Sequence, residues 1–224
     1  YEIAGNLYAD GTRLTEIQLV KRFDVGRGSV REALRLLERR GSVELLNGRG
    51  AVVRAYPLER LTDAFNVIAI LTALAVRTVT YEQKAEVLTE IGARAAAIDA
   101  MVQAGFSAPF DFSVAAGRLM ASVVAGSGSA YLRSQVSAAL NRIVWRAIWD
   151  DPYDYLTLER QVEANRGVQA VWNAIAAQEC DIAEQAVREL HASHREIMLA
   201  NLARQRGVTV PLRQIPLTIG TARA

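Results

Sequence analysis

Val25-Gly26-Arg27-Gly28-Ser29-Val30-Arg31-Glu32-Ala33-Leu34-Arg35-Leu36-Leu37-Glu38-Arg39-Arg40-Gly41 decides the reading of this chain. Val30, Ala33, Leu34 and Leu37 recur at i, i+3, i+4 and i+7, the spacing of one buried helix face. Arg27, Arg31 and Arg35 recur at every fourth residue and lie about 100° around the helix from the apolar centre. The pattern predicts a helix from roughly Gly28 to Arg40 that is held by a core on one side and carries arginines on another. Such a row is either a solvated face or a surface for phosphates and bases. Gly41 sits where a helix stop belongs. From Lys21 to Arg40 there are seven basic residues against three acidic ones, a local basic stripe in a chain whose net charge is only +2.

Upstream, Thr15-Glu16-Ile17-Gln18 has the form of a capping box and starts an earlier helix. That helix runs to about Phe23, with Ile17, Val20 and Phe23 at helical spacing, and Asp24-Val25-Gly26 is the turn after it. Downstream, Ser42 to Leu46 reads as a strand, Asn47-Gly48-Arg49-Gly50 as a hairpin turn, and Ala51 to Arg54 as the returning strand. Helix, turn, helix, hairpin is the order of a winged helix-turn-helix, and two-helix modules of this kind place the second helix in the DNA major groove.

Ala55-Tyr56-Pro57 marks a linker. Beyond it the apolar periodicity predicts helices over about 61–80, 81–105, 111–125, 130–148, 156–177 and 181–206, with breaks at Gly126-Ser127-Gly128-Ser129 and at Asp150-Asp151-Pro152-Tyr153-Asp154. The expected architecture is mainly α: a DNA-binding domain over 1–55 with a small β-hairpin, and an all-helical bundle over 56–224. One cysteine, Cys180, excludes an internal disulfide framework and fits a reducing cytoplasm. No apolar run approaches the length of a membrane span, and the first residues, Tyr1-Glu2-Ile3-Ala4-Gly5, show no signal-peptide pattern. With two histidines, one cysteine, and no nucleophile motif or phosphate loop, an enzyme is not the expected reading. The arginines argue against a winged helix that binds only protein.

Four segments resemble the GntR family of bacterial transcription regulators: Gly11-Thr12-Arg13-Leu14-Thr15-Glu16, Val25 to Leu34, Leu37 to Gly41, and Gly48 to Val53. The helical remainder looks like the FCD effector-binding domain of that family's FadR subgroup. The resemblance implies a homodimer on a pseudopalindromic double-stranded operator, and a helical domain whose small-molecule effector changes DNA affinity, as in a repressor. It implies DNA contacts from Arg27 and Arg31, with Gly28 and Ser29 at the helix start and Gly50 in the wing; Arg35 on the same helix face and Arg49 at the hairpin tip join them by position. The chain departs from the family pattern at Gly26, usually Ser or Thr, at Ile17, often Arg, and at Gly28-Ser29.

Many FCD domains hold a divalent metal with one Asp and three His. Alignment by helix places Ala116, Met120, Val168 and Leu190 at those four positions, and none offers an oxygen or imidazole donor. No metal and no cofactor is therefore expected. The pocket implied by the resemblance is lined by Ala116, Met120, Val168, Trp172 and Leu190. It is either filled, making the domain a scaffold, or adapted to a more apolar effector. Trp145 and Trp149 are core or lining residues, and Arg118, Arg142 and Arg146 are surface charges or partners for an acidic effector. His191 and His194 form an i, i+3 pair near a helix end; a one-residue shift of the alignment would put His191 at the third ligand position, and otherwise the pair reads as exposed or capping residues.

Overall fold

A capping box fixes where the first helix begins. The Thr15 hydroxyl accepts the Gln18 N–H at 3.3 Å, and the Gln18 carboxamide accepts the Thr15 N–H at 3.2 Å. Two backbone donors that a helix start would leave unpaired are thereby satisfied. This is a computed structural model, and it describes residues 8, 11–39, 42–47, 49–54, 58–147 and 154–208, without the side chains of residues 60, 141–147 and 206. Helix α1, Glu16–Phe23, ends at Asp24, whose left-handed φ of 52° reverses the chain into α2, Arg27–Arg39. Gly41, the expected stop, lies outside the described residues, and Ser42 N–H closes back onto the Leu37 carbonyl at 2.9 Å.

Three strands complete the first unit: β1 Arg13–Leu14, β2 Val43–Leu46 and β3 Gly50–Val53, in the order β1-β3-β2 and antiparallel throughout. The hairpin of β2 and β3 is the expected wing. Strand β1 is an addition, since two residues are too few to show an alternating pattern. Its Leu14 pairs with Ala51. Leu14, Leu19, Val30, Leu34, Val43, Ala51 and Val53 form one buried cluster, with Val20, Leu37 and Leu45 packed against it. Within α1 the buried anchor is Leu19, not the expected trio: Ile17 and Phe23 are exposed, and only Val20 turns inward. Ala33 of α2 is likewise exposed. A short helix buries only the one or two positions that meet the sheet, so the rest of a nominal apolar face stays wet.

A second unit begins at Leu58. It holds α3 Leu58–Glu82, α4 Ala85–Gln103, α5 Pro109–Gly126, α6 Ala130–Ala147 as far as Asn141, α7 Leu158–Ala176 and α8 Cys180–Arg206. Helix α3 lies along α8, α8 along α7, and α4 packs on both α5 and α7. The expected helix from Tyr81 starts later because Gln83 takes a left-handed φ of 50° and donates its side-chain N–H to the Thr80 and Ile175 carbonyls at 2.9 and 2.8 Å. Thr157 similarly sets the start of α7 by accepting the Arg160 N–H at 3.2 Å. Gly207, at φ 63°, ends α8. The tail beyond 208 and the Asp150-Asp151-Pro152-Tyr153 stretch lie outside the described residues.

One expectation needs correction. By length and composition, Leu61–Glu82 is apolar enough to cross a membrane, with a mean hydropathy of 1.5. The polar residues Asp63, Asn66, Thr72 and Arg77 interrupt every run within it but do not offset its average. Half of that window is buried in the protein, as in the core helix of a bundle.

Gly50 carries a constraint no other residue could meet. Its φ is +91°, and a Cβ there would stand 2.0 Å from the Leu14 carbonyl oxygen and 2.9 Å from Thr15 Cα. Both obstacles are backbone, so nothing can swing aside. Gly50→Ala is expected to destabilise the N-terminal unit by at least ~2 kcal/mol, from strain plus clash. Urea denaturation followed by circular dichroism measures it, and an unchanged midpoint would contradict the close approach.

Candidate nucleic-acid interface

Helix α2 sorts its residues as the sequence spacing requires. Val30 and Leu34 are buried in the cluster under the sheet, while Arg27, Gly28, Ser29, Arg31 and Arg35 are all exposed. The buried pair fixes the rotation of the helix, and the rotation fixes which way the arginines project. Gly26 and Gly28 are not there for space, because a Cβ at either would meet nothing within 4 Å. Without side chains at these positions, the first backbone N–H groups of α2 stay open to an anion such as a DNA phosphate.

Arg31 has a partner that the sequence spacing did not reveal. Its Nε donates to both oxygens of the Glu16 carboxylate, at 2.9 and 3.0 Å. The hydrogen bond, and then the charge, of Glu16 hold the Arg31 guanidinium above its usual pKa. Glu16 stands in the first turn of α1, fifteen residues before Arg31. It engages the Nε edge and so orients Nη1 and Nη2, the pair that a bidentate contact to guanine uses. An acidic residue in a first turn is ordinary helix chemistry, and only the packing of α1 on α2 shows its second use.

In the wing, Arg49 is exposed and donates its backbone N–H to the Leu46 carbonyl at 2.8 Å, closing the turn. Gly50 is buried at the start of β3, and its conformation and the approach of Leu14 are sufficient reason for a glycine there. The structure thus leaves the wing's outward reach to Arg49, and Gly48 lies outside the described residues.

In the helical unit, Met120, Val168, Trp172 and Leu190 join one apolar core around Leu119, Val123, Val171 and Ile175. Ala116 is half-buried on the same helix as Met120. Their side chains fill interhelical gaps: a Cβ on Gly92 would stand 2.8 Å from the Trp172 ring, and one on Gly167 would stand 2.9 Å from Leu190 Cδ1. Arg118 is exposed, whereas the side chains of Arg142, Trp145 and Arg146, and all of Trp149, lie outside the described residues.

The histidines differ from expectation. Neither is an exposed helix-end residue, since long α8 carries both into the interior. His194 Nδ1 lies 2.7 Å from Asp154 Oδ2, and its ring stacks on Tyr155 and meets Phe65 edge-on. Asp154, only 2 % exposed, also accepts from Arg160 Nε and Nη2 at 2.7 and 3.0 Å. Burial pushes the Asp154 carboxyl up, but the His194 and Arg160 hydrogen bonds outweigh it and hold the carboxyl below its ordinary value. On α7, Gln161, Asn165 and Gln169 repeat at i+4 and tie to Ser107 and Tyr155, to Asp99, and to Ala95. His191 Nε2 and Asn66 Nδ2 are sealed from solvent with no hydrogen-bond partner among the described residues. Asn66 accepts from Arg195 through its oxygen. No cluster of three or more His, Cys, Asp or Glu among the described residues is arranged to hold a metal.

Residues 2–53 match the bacterial regulatory proteins of the gntR family. The N-terminal unit is a GntR-type DNA-binding domain. No curated protein matches the chain. Solved structures share its fold, among them the following. Lar of Listeria monocytogenes, described as controlling the agr system, is 16% identical, with 89% of this chain and 92% of that one covered at a TM-score of 0.64. McbR/YncC of E. coli is 13% identical, with 90% and 93% covered at 0.64. A GntR-family transcriptional regulator from Pseudomonas syringae is 19% identical, with 92% and 83% covered at 0.53. At these identities the likeness establishes the fold, and the GntR-type domain rests on the sequence match.

Burial pushes the His191 imidazole down to about 4. The unfolded chain, near the ordinary 6.5, takes up the proton first, so this contribution to stability is complete above pH 6.5 and fades as pH falls toward 4. The Asp154 contribution fades only below the ordinary carboxyl range, outside that window. Between pH 7.5 and pH 5 the protein is expected to lose about 2 kcal/mol more stability than His191→Leu. Urea titrations of the two proteins at both pH values measure the difference, and equal losses would mean that His191 is not held neutral.

Proposed function

We propose that this chain is a dimeric, cytoplasmic transcription repressor that binds a pseudopalindromic operator through its GntR-type domain and is released by a small molecule acting on the helical unit. The observation that carries the reading is the exposed row Arg27, Arg31 and Arg35 on a helix whose opposite side is pinned by Val30 and Leu34. Two such helices, one per protomer, enter successive major grooves about one DNA turn apart. Arg31 reads a base, Arg27 and the open N-terminus of α2 hold phosphates, and Arg49 reaches from the wing. The helical unit is proposed to be an FCD-like effector domain. Support for a polar guest comes from the unsatisfied His191 Nε2 and Asn66 Nδ2, because sealed polar atoms without partners are rare in native interiors.

A second reading has its own observation. Trp172 lies against Gly92 and Leu190 against Gly167, so residues expected to line the pocket fill interhelical space. On this reading the helical unit is a ligand-free scaffold that sets the spacing of the DNA-binding units. A thermal-shift screen of small organic acids and apolar metabolites, with and without chelator, separates the two. A stabilising ligand that also weakens DNA binding supports the effector reading. No shift supports the scaffold.

DNA sites selected from a random library, followed by fluorescence anisotropy, test the main reading. Arg31→Ala is expected to cost roughly 1–3 kcal/mol on the selected site and much less on random DNA, as loss of a bidentate base contact does. Glu16→Ala is expected to shift the same ratio in the same direction, while Arg27→Ala weakens both DNAs alike and flattens the salt dependence. Equal losses on both DNAs for Arg31→Ala would refute base reading, and absence of any selected site would refute the operator proposal.

A further inference from the structure

The first turn of α1 is largely engaged with the protein itself. The Thr15 hydroxyl and the Gln18 carbonyl oxygen cap the helix, the Glu16 carboxylate holds Arg31 Nε, and Leu19 is buried. Ile17 faces outward from this turn. It is 68 % exposed, against 48 % for Phe23, 41 % for Leu36 and 40 % for Val25, the other exposed large apolar residues among the described residues of this unit. Exposure of one apolar side chain signals nothing by itself. The place of this one does.

At 100° per residue, the order around α1 from the buried Leu19 is Glu16, Val20, Ile17 and Lys21. Glu16 meets Arg31 of α2, and Val20 packs against the apolar cluster. Past them the next side chain on that side is Ile17, with the exposed Lys21 one turn on. The Cα of Ile17 is about 3.8 Å from that of Glu16. A DNA groove that receives Arg31 therefore brings its base edges toward Ile17. The other exposed apolar residues do not share this place. Phe23 stands six residues along α1, about 9 Å further down the axis. Leu36 lies five residues past Arg31, about 140° round α2. Val25 sits in the turn between the helices.

The Ile17 side chain can neither donate nor accept a hydrogen bond. Against the major-groove edges of adenine, guanine or cytosine it would cover polar atoms without pairing them, at the cost of their desolvation. The thymine C5 methyl is the one apolar group on those edges. Branched at Cβ, Ile holds essentially one χ1 rotamer in a helix and loses little freedom on contact. We infer that Ile17 is a specificity-determining residue, packing on a thymine methyl within about three base pairs of the base that Arg31 reads, the span that its distance from Arg31 allows at ~3.4 Å per base step. The inference rests on the operator-binding reading above and adds a second base position to it.

Thymine-to-deoxyuridine scanning of the selected site, which removes one methyl group and nothing else, tests it by fluorescence anisotropy on the full chain. Each half-site is expected to contain one thymine, close to the position whose preference Arg31→Ala relaxes, where deoxyuridine weakens wild-type binding about fourfold, the worth of one buried methyl group. Ile17→Ala is expected to bind the thymine and deoxyuridine duplexes alike, with its helical circular dichroism intact. Ile17→Val keeps a preference for thymine, and Arg31→Ala keeps the full thymine-to-deoxyuridine ratio while binding both more weakly. A selected site indifferent to every methyl, or a methyl effect that survives in Ile17→Ala, would overturn the assignment of Ile17 and leave operator binding standing. Absence of any selected site would overturn both.

Discussion

The rotation of α2 about its own axis is the constraint on which the DNA-binding unit depends. It is set by two side chains, Val30 and Leu34, seated among Leu14, Leu19, Val43, Ala51 and Val53. A rotation of one residue's worth, about 100°, would bury arginine and expose leucine, and no surface ion pair could offset that. The seat exists because β1 can lie close to β3, and it lies close because residue 50 has no Cβ. Three levels of structure follow from that one missing carbon: a third strand, a closed apolar cluster, and an arginine row with a fixed outlook. Glu16 then refines the outlook of one arginine from the neighbouring helix, at an energetic contribution to folding that an exposed ion pair keeps small.

The helical unit is organised on a different principle. Its apolar core is ordinary, but its loops are fastened by buried polar side chains that are almost fully satisfied. Gln161 spends its carboxamide on Ser107 and Tyr155, joining two connections from different parts of the chain. Asp154 gathers Arg160 and His194 around one carboxylate, so a charge taken out of water is compensated by several donors at once. Against that background the uncoupled nitrogens of His191 and Asn66 are conspicuous. They lie on α8 and α3, the two helices that run along each other, and apart from the apolar core that Met120, Val168 and Leu190 join.

Much of the first unit was legible in the sequence because its signals are local. The capping box at Thr15, the turn at Asp24 and the arginine spacing each act within a few residues. Strand β1 was not legible, since two residues carry no period, nor was the burial of Gly50, which depends on a strand more than thirty residues away. Ile17, Phe23 and Ala33 obey helical spacing yet remain exposed, because periodicity identifies a face without saying how wide a partner covers it. In the second unit helix order was legible and the polar interior was not. Asp154, Arg160 and His194 lie up to forty residues apart and have no shared spacing to betray them. His191 and His194 looked peripheral because the sequence shows the end of α8 nearby but not that α3 and the Asp154 loop cover this stretch.

Helix α3 presents the remaining question of consistency. It is apolar almost all round, and a helix of that kind must be covered on more than one side. Helix α8 and the core account for the side bearing Leu61, Phe65, Ala69, Ala73 and Val76. A bilayer would accept Val67, Ile70 and Leu74 but would also have to accept Asp63 and Arg77 within the same 22-residue window, with half of it already buried in protein. Water accepts the two charges but not the three apolar side chains between them.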